Sequence, residues 1–145
     1  MTLEFCLNRK VVASTLVASV LATGIGAAPA SEMTPLREEE HINNSLIAAG
    51  IGEMIRRNCG SISPRWFVVY RKTKALEKYA LNLGYSEAEI EAFLEDENER
   101  DRVRKAVNDY LVANGVRKGE EATYCALGRK EIAARTLTGQ LLWSR

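Results

Sequence analysis

The amino-acid sequence predicts an all-α protein of one domain, with about four helices stapled by one disulfide. Three observations lead to this prediction. Apolar residues recur at helical spacing between recognisable helix caps. Alternating strand patterns are nearly absent. Two of the three cysteines, Cys59 and Cys125, lie in the stretch where the helices are predicted.

The first 30 residues have the pattern of a cleavable signal peptide. Arg9 and Lys10 form a short basic region, residues 11–25 are an apolar and small-residue run, and residues 28–30 (Ala-Pro-Ala) resemble a cleavage site. A retained membrane anchor would need about 20 apolar residues, and a transit peptide would be richer in arginine. Cys6 precedes the apolar run, whereas the cysteine of a lipoprotein follows it. We therefore expect residues 1–30 to be removed and the protein to be periplasmic or secreted.

Residues 31–145 are then enough for one helical domain with one core. The sequence holds 20 basic and 19 acidic residues, and removal of Glu4, Arg9 and Lys10 leaves 18 of each. Formal neutrality argues against electrostatic capture of nucleic acid or of an anionic membrane surface. The mature chain has no repeat, no low-complexity tract, no linker and no apolar run of membrane-spanning length.

Loss of the leader also removes Cys6 and leaves Cys59 and Cys125 as an even pair in an oxidising compartment. One disulfide is the natural prediction, and it would close a long loop. Two buried free thiols are the alternative. A redox-active pair is disfavoured because the sequence has no Cys-x-x-Cys arrangement.

The first helix is predicted over residues 35–58. Thr34 followed by Pro35 is typical of a cap and a first helical position, and the acidic residues 38–40 suit the positive end of the helix dipole. Gly50 and Gly52 weaken the middle of this helix by about 1 kcal/mol each relative to alanine. We therefore expect a close neighbour or a bend there.

A second helix is predicted to begin at Pro64, with Ser63 as its cap, and to end at Gly84. Its spacing places one apolar side along the helix. That side comprises Trp66, Phe67, Val69, Tyr70, Leu76, Ala80 and Leu83.

Ser86 and Glu89 form a capping box, the most specific local signal in the chain, and predict a third helix. Residues 95–102 contain no apolar residue, so either one long helix crosses an exposed gap or two helices meet near Asn98. We favour the single helix, ending at Asn114. The mixed charges of residues 95–105 indicate a solvated face rather than an ion site.

The last helix is predicted over residues 120–143. Gly128 and Gly139 are about three turns apart, so one face of this helix would let another backbone approach closely. Cys125 lies in its first turns, and Cys59 lies at the end of the first helix. The disulfide would therefore join the two helices that are farthest apart in the sequence.

Catalytic signals are sparse. His41 is the single histidine, which excludes histidine-based metal clusters and favours a solvent-facing side chain over a general base. The sequence has no Gly-x-Ser-x-Gly elbow, no glycine-rich phosphate loop and no His-Glu-x-x-His motif. Glu53 is the acid that best fits glycosidic-bond cleavage, because burial among Ile51, Met54 and Ile55 would raise its pKa. We expect no cofactor and no metal.

The aromatic residues Trp66, Phe67 and Tyr70 fit either an exposed binding surface or the core. Successive bulky aromatics on a helix favour the core. Trp143 ends a second apolar stretch that begins at Leu141. If these side chains are exposed, they are the candidate contacts for a partner protein in the cell envelope.

Several stretches carry a family resemblance: residues 55–65, 83–92, 125–129 and 131–133, which read IRRNCGSISPR, LGYSEAEIEA, CALGR and EIA. Over about residues 42–145 the sequence resembles an uncharacterised family of small secreted proteins from photosynthetic and marine alphaproteobacteria, a domain of unknown function. The resemblance implies a bacterial periplasmic location and a shared pair of cysteines at Cys59 and Cys125. It brings no known activity, so it assigns no catalytic residues.

These observations favour a non-enzymatic interaction or accessory protein of the bacterial periplasm, with a partner in the envelope. A periplasmic stress chaperone or inhibitor is the second hypothesis, because acidification would leave a strongly positive, self-repelling chain. A peptidoglycan-cleaving enzyme is the third and would depend on Glu53.

Overall fold

The computed structural model describes residues 33–145, and the predicted signal peptide lies outside the described residues. The described chain is mostly helical, as expected, with one disulfide between Cys59 and Cys125. The prediction of about four helices is wrong, because this part of the chain forms six helices and a two-stranded sheet. After a 3-10 turn at Leu36–Glu38, the elements are α1 (Glu40–Asn58), β1 (Ile62–Pro64), α2 (Trp66–Asn82), α3 (Glu87–Glu95), α4 (Glu97–Ala113), α5 (Glu121–Ala134), α6 (Leu137–Gln140) and β2 (Leu142–Ser144).

Helix α1 is the central element, and α4, α5 and α6 pack against it. The main core surrounds Ile55, which is fully buried together with Leu142 of β2 and Cys59 of the disulfide. A smaller core forms where the start of α1 meets the C-terminal end of α2. It comprises Leu36, Ile42, Ala80 and Tyr85.

The two glycines of α1 differ in their surroundings. A Cβ atom on Gly50 would lie 2.7 Å from Val107 Cγ2 of α4, so the predicted close neighbour is confirmed at this position. At Gly52 the nearest atoms would be 3.8 Å away, which is an ordinary contact distance. An added methyl group would therefore force Val107 to shift at Gly50, whereas it would fit at Gly52.

Helix α1 begins at Glu40 rather than at Pro35. The chain first makes the 3-10 turn and then passes through Glu39 in an extended conformation. This path buries Leu36 in the smaller core, and the hydroxyl of Tyr85 donates a hydrogen bond to the carbonyl oxygen of Thr34. Tertiary burial of Leu36 therefore overrides the local start signal.

The prediction that Ser63 caps a helix beginning at Pro64 is wrong. Residues 62–64 form β1, which pairs antiparallel with β2 so that Ser63 lies opposite Trp143 and Pro64 opposite Leu142. The backbone N–H of Arg65 then donates to the carbonyl of Leu141 at 2.8 Å, and α2 begins at the next residue. A pairing with a remote segment thus replaces the local cap.

The capping box that opens α3 is confirmed. The backbone N–H of Glu89 donates to Ser86 Oγ at 3.2 Å, and the N–H of Ser86 donates to Glu89 Oε2 at 2.7 Å. The prediction of a single long helix is wrong, because α3 ends and α4 begins on either side of Asp96. Asp96 Oδ1 accepts hydrogen bonds from the N–H groups of Asn98 and Glu99, so this carboxylate caps α4.

The predicted last helix is also interrupted, because α5 ends at Ala134 and Arg135 adopts a left-handed conformation with φ 51°. The chain then reverses into the short α6, and a Cβ atom on Gly139 would overlap the carbonyl oxygen of Glu131. A backbone therefore does approach Gly139 closely, but it belongs to α5, and the expectation of one helix face shared by Gly128 and Gly139 is wrong because the two glycines lie on different helices. At Gly128 the close neighbours are side chains, including Ile55 Cγ2 at 2.7 Å from a Cβ position.

The acidic and basic run of residues 95–105 is mostly exposed, with one exception. Glu99 is only 5% exposed. Its carboxylate pairs with Arg37 Nη2 and with Arg102 Nε, each at 2.8 Å, and Arg102 also donates to Asn43 Oδ1 at 2.7 Å. The prediction of a solvated face therefore fails at Glu99, where an ion pair joins α4 to the 3-10 turn and a hydrogen bond from Arg102 joins α4 to α1.

A second buried carboxylate, Glu131, is 3% exposed and joins α4, α5 and the turn before α6. The hydroxyl of Tyr110 donates to Glu131 Oε1 at 2.6 Å, and the hydroxyl of Thr136 donates to Glu131 Oε2. The hydrogen bond to Glu131, with burial as a smaller cause, raises the pKa of Tyr110 to about 12. Glu131 thus stays buried because two hydroxyl groups satisfy it.

We expect Tyr110→Phe to lower the free energy of unfolding by about 1–2 kcal/mol at neutral pH, because a buried carboxylate loses one donor. Because the pKa of Tyr110 is raised in the folded protein, the full stabilisation is present below about pH 10. It is lost as the pH rises toward about 12. Urea unfolding of both proteins at neutral and alkaline pH measures the difference. A difference that stays constant up to pH 12 would contradict the assignment.

Candidate binding cleft

An open apolar cleft of about 740 Å³ lies between α1, α2, α3 and the C-terminal segment around α6. The position of α2 beside this cleft is fixed by contacts at the two ends of the helix. At one end β1 and Arg65 join the C-terminal segment, and at the other Ala80 enters the smaller core. Ala80 is the one buried residue of α2, so the middle of this helix leaves space above α1.

Each side of the cleft contributes aliphatic side chains to its lining. Leu46 and Ala49 come from α1, Leu76 from α2, Ile90 from α3, and Leu141 from the segment that leads into β2. Such a cleft falls within the size range of about 300–1,000 Å³ that is common for ligand sites. Its chemistry suits an apolar occupant.

The two long rims of the cleft differ in charge. On α3 the residues Glu87, Glu91 and Glu95 follow one another at intervals of one turn and line one side. On the other side α2 contributes one base and one acid, Lys72 and Glu77. His41 stands at the same cleft with its ring edge toward Tyr79, 4.8 Å between centroids. An occupant would therefore meet a row of carboxylates along one flank.

The predicted interaction residues lie outside this cleft. Trp66, Phe67 and Tyr70 are 68%, 71% and 62% exposed, and Trp143 is 42% exposed. The preference for the core at Trp66, Phe67 and Tyr70 is therefore wrong. The helix turns these side chains away from the cleft, which receives Val69 instead.

Cys59 and Cys125 form the predicted disulfide, with their Cα atoms 5.2 Å apart. It joins the end of α1 to α5, although α5 is not the last helix. Ser61 Oγ lies 3.3 Å from Cys59 Sγ, and Glu121 Oε1 accepts a hydrogen bond from the N–H of Gly60 at 2.9 Å. These polar groups surround the bond, but both sulfur atoms are used by it, so neither is a free thiolate for a metal or for catalysis.

Glu53 does not have the environment expected of a general acid. Its side chain is partly exposed and accepts hydrogen bonds from Arg56, including one from Nε at 2.7 Å. The hydrogen bond from Arg56 lowers the pKa of Glu53 to about 2, although burial opposes the shift. A carboxyl group that donates a proton near neutral pH needs the opposite shift, so the expected rise in pKa is wrong.

Sequence reasoning missed the cleft. Leu141 belongs to the C-terminal apolar stretch described above, and Val69, Leu76 and Ala80 to the apolar side of the second helix, but nothing in the sequence indicated that these residues line a common cleft. A sequence feature that could have indicated the cleft is the pair of small residues on this side of α2. Thr73 and Ala75 lie between Val69 and Leu76 in the sequence. Small residues on a face next to aliphatic ones leave room that larger residues would fill.

The described residues form a small, mostly helical, disulfide-bonded fold with an open apolar cleft. None of the helices in residues 33–145 combines the length and the apolar character needed to cross a bilayer. Residues 34–143 match a family of unknown function, DUF5333, and the chain belongs to this family. Searches of curated proteins and of solved structures gave no match.

Proposed function

We propose that the protein is a non-enzymatic accessory protein of the bacterial periplasm that binds an amphipathic helix of an envelope protein. The observation that carries the proposal is the apolar cleft of about 740 Å³ between α1, α2 and α3. Helix-in-groove recognition places the apolar face of a partner helix against such a surface.

The shape of the cleft favours a helix over a compact ligand. Glu87 and Glu95 on the α3 rim are eight residues apart, which is roughly 12 Å along the helix axis. A partner helix lying beside this rim would contact it over about two turns. Aliphatic lining from three helices would then receive large apolar side chains at helical spacing.

The charge of the rim specifies the partner further. The carboxylates of Glu87, Glu91 and Glu95 favour a helix with lysine or arginine along one flank of its apolar face. The same row would repel the carboxylate or phosphate group of an anionic lipid. A basic amphipathic helix is therefore the occupant that fits both the lining and the rim.

Two features support the periplasm as the location. The first 30 residues have the pattern of a cleavable leader. The disulfide between Cys59 and Cys125 suits a compartment in which thiols are oxidised. The low pKa of Glu53 supports a non-enzymatic role over a peptidoglycan-cleaving one.

The test uses two synthetic helical peptides that share one leucine face and carry either lysines or glutamates on the flanks. We expect the lysine peptide to bind the protein at least roughly tenfold more tightly, measured by fluorescence anisotropy. Ala49→Trp should abolish this binding, because Ala49 is an exposed residue of the cleft and a larger side chain would fill it.

Ala126→Trp is the matched control, because Ala126 is exposed on α5 and is not a lining residue. This variant should bind the lysine peptide as tightly as the wild type. Equal binding of the two peptides, or undiminished binding by Ala49→Trp, would overturn the proposal.

A further inference from the structure

The mature chain is formally neutral, but its basic and acidic residues are concentrated in different segments. Residues 65–82, which include α2, contain five basic residues and one acidic residue. Residues 83–101, which include α3, contain eight acidic residues and one basic residue. The neutral net charge of the chain therefore does not exclude an anionic surface as a partner of α2.

The bases of α2 share a face with aromatic residues. Phe67, Tyr70, Arg71, Lys74 and Lys78 recur at three- and four-residue spacing and are all exposed. Arg71 lies over the ring of Phe67, with 5.7 Å between its Cζ atom and the ring centroid. We call these five residues the outward face, because the opposite side of α2 lines the cleft.

The aromatic character extends past the start of the helix. Trp66 precedes Phe67, and β1 runs directly before it. Trp143 of β2 lies opposite Ser63 of β1, and the guanidinium of Arg145 donates to Ser63 Oγ. Exposed tryptophans and a further base therefore lie beside the N-terminal end of α2.

We infer that the outward face of α2 docks on the surface of an anionic phospholipid bilayer. Tryptophan, tyrosine and phenylalanine favour the headgroup level of a membrane, where one part of the ring is apolar and the other is hydrated. Lysine and arginine on the same face are attracted by lipid phosphates. A helix that carries both lies parallel to the membrane plane.

The acid nearest to this face weakens the attraction only locally. Glu77 pairs with Lys74 Nζ at 2.7 Å and is also one of the residues that line the cleft. Arg71 and Lys78 stand on either side of this pair along the helix. The hydrogen bond to Glu77, and more weakly the charge of Glu87 on α3, raise the pKa of Lys74, so Glu87 also lies near this part of the face. Glu91 and Glu95 of α3 line the opposite rim of the cleft.

The test is co-flotation of the purified protein with vesicles of pure phosphatidylcholine or of phosphatidylcholine containing phosphatidylglycerol. We expect binding to the mixed vesicles only, and loss of that binding in high salt. The triple variant Arg71→Gln, Lys74→Gln, Lys78→Gln should bind roughly 100-fold more weakly, given about fivefold per basic residue.

The matched control is Lys118→Gln, Arg129→Gln, Lys130→Gln, which removes three exposed bases elsewhere. It changes the net charge equally and should retain vesicle binding. All variants carry the same N-terminal segment, so its contribution to vesicle binding is common to them.

A second readout reports the position of the helix itself. The sequence contains two tryptophans, so Trp143→Phe leaves Trp66 as the only one. Its fluorescence should shift to the blue on mixed vesicles and be quenched by brominated lipid. An unchanged spectrum would overturn the inference.

The remaining outcomes separate this inference from the proposed function. Equal loss of vesicle binding in both triple variants, or capture of a single-stranded oligonucleotide in preference to the vesicles, would overturn the membrane inference. Ala49→Trp should retain vesicle binding, because Ala49 lies in the cleft. Retained vesicle binding together with undiminished peptide binding by Ala49→Trp would overturn only the cleft proposal.

Discussion

Replacing both Cys59 and Cys125 by alanine should lower the free energy of unfolding by about 4 kcal/mol. The two residues are 66 positions apart, so their bond removes much of the conformational freedom of the unfolded chain. Domains of this size have total stabilities of about 5–15 kcal/mol, so the loss is a large part of the total. Alanine is the suitable replacement because both sites are buried.

Urea unfolding of the wild type with and without a reducing agent separates the cross-link from the packing of the sulfur atoms. Reduction keeps both sulfur atoms in place, so it should account for most of the loss seen in the double variant. The dependence of the free energy on urea concentration should also steepen, since the unfolded chain becomes more expanded. An unfolding midpoint unaffected by reduction would contradict this expectation.

Gly139→Ala should destabilise the protein by about 3 kcal/mol or more. A Cβ atom at this position would overlap the carbonyl oxygen of Glu131 and lie 2.8 Å from the backbone nitrogen of Ile132. Both obstacles are backbone atoms of α5, so a change of rotamer cannot relieve the overlap. Moving α6 away would break the hydrogen bond from Thr138 Oγ1 to the carbonyl of Ala48, which is 3.1 Å long.

Gly52→Ala is the control for Gly139→Ala, because it adds the same methyl group where the nearest atoms would be 3.8 Å away. Gly52 lies inside α1, so alanine should leave stability unchanged or raise it by up to about 1 kcal/mol through helix propensity. Thermal unfolding of the two variants compares them directly. Similar effects of the two substitutions would show that the contact between α5 and α6 does not limit stability.

Short sequence motifs predicted correctly those helix starts that depend on contacts between neighbouring residues. The capping box of Ser86 and Glu89 opens α3 because its hydrogen bonds join residues three apart. The caps proposed at Thr34 and Ser63 failed because remote partners compete with them. Leu36 is buried against α2, and Ser63 lies in a strand whose partner is β2.

The candidate site was less predictable than the fold. The disulfide was predictable, since it needs only two cysteines in an oxidising compartment. The cleft depends on how far α2 stands from α1, and this distance is set by contacts at both ends of α2 rather than by its own sequence. Helical periodicity reports which side of α2 is apolar, but not whether that side is filled.

The pairing of β1 with β2 has a consequence for how the chain folds. Residues 63 and 145, which bond across this ribbon, are 82 positions apart. Leu142, which lies opposite Pro64 in the same ribbon, belongs to the main core around Ile55. A pairing between segments so far apart in the sequence slows folding, because the entropy of closing the long loop is lost before the pairing compensates for it. We therefore expect the chain to stay unfolded until residues 142–145 are available to pair with β1.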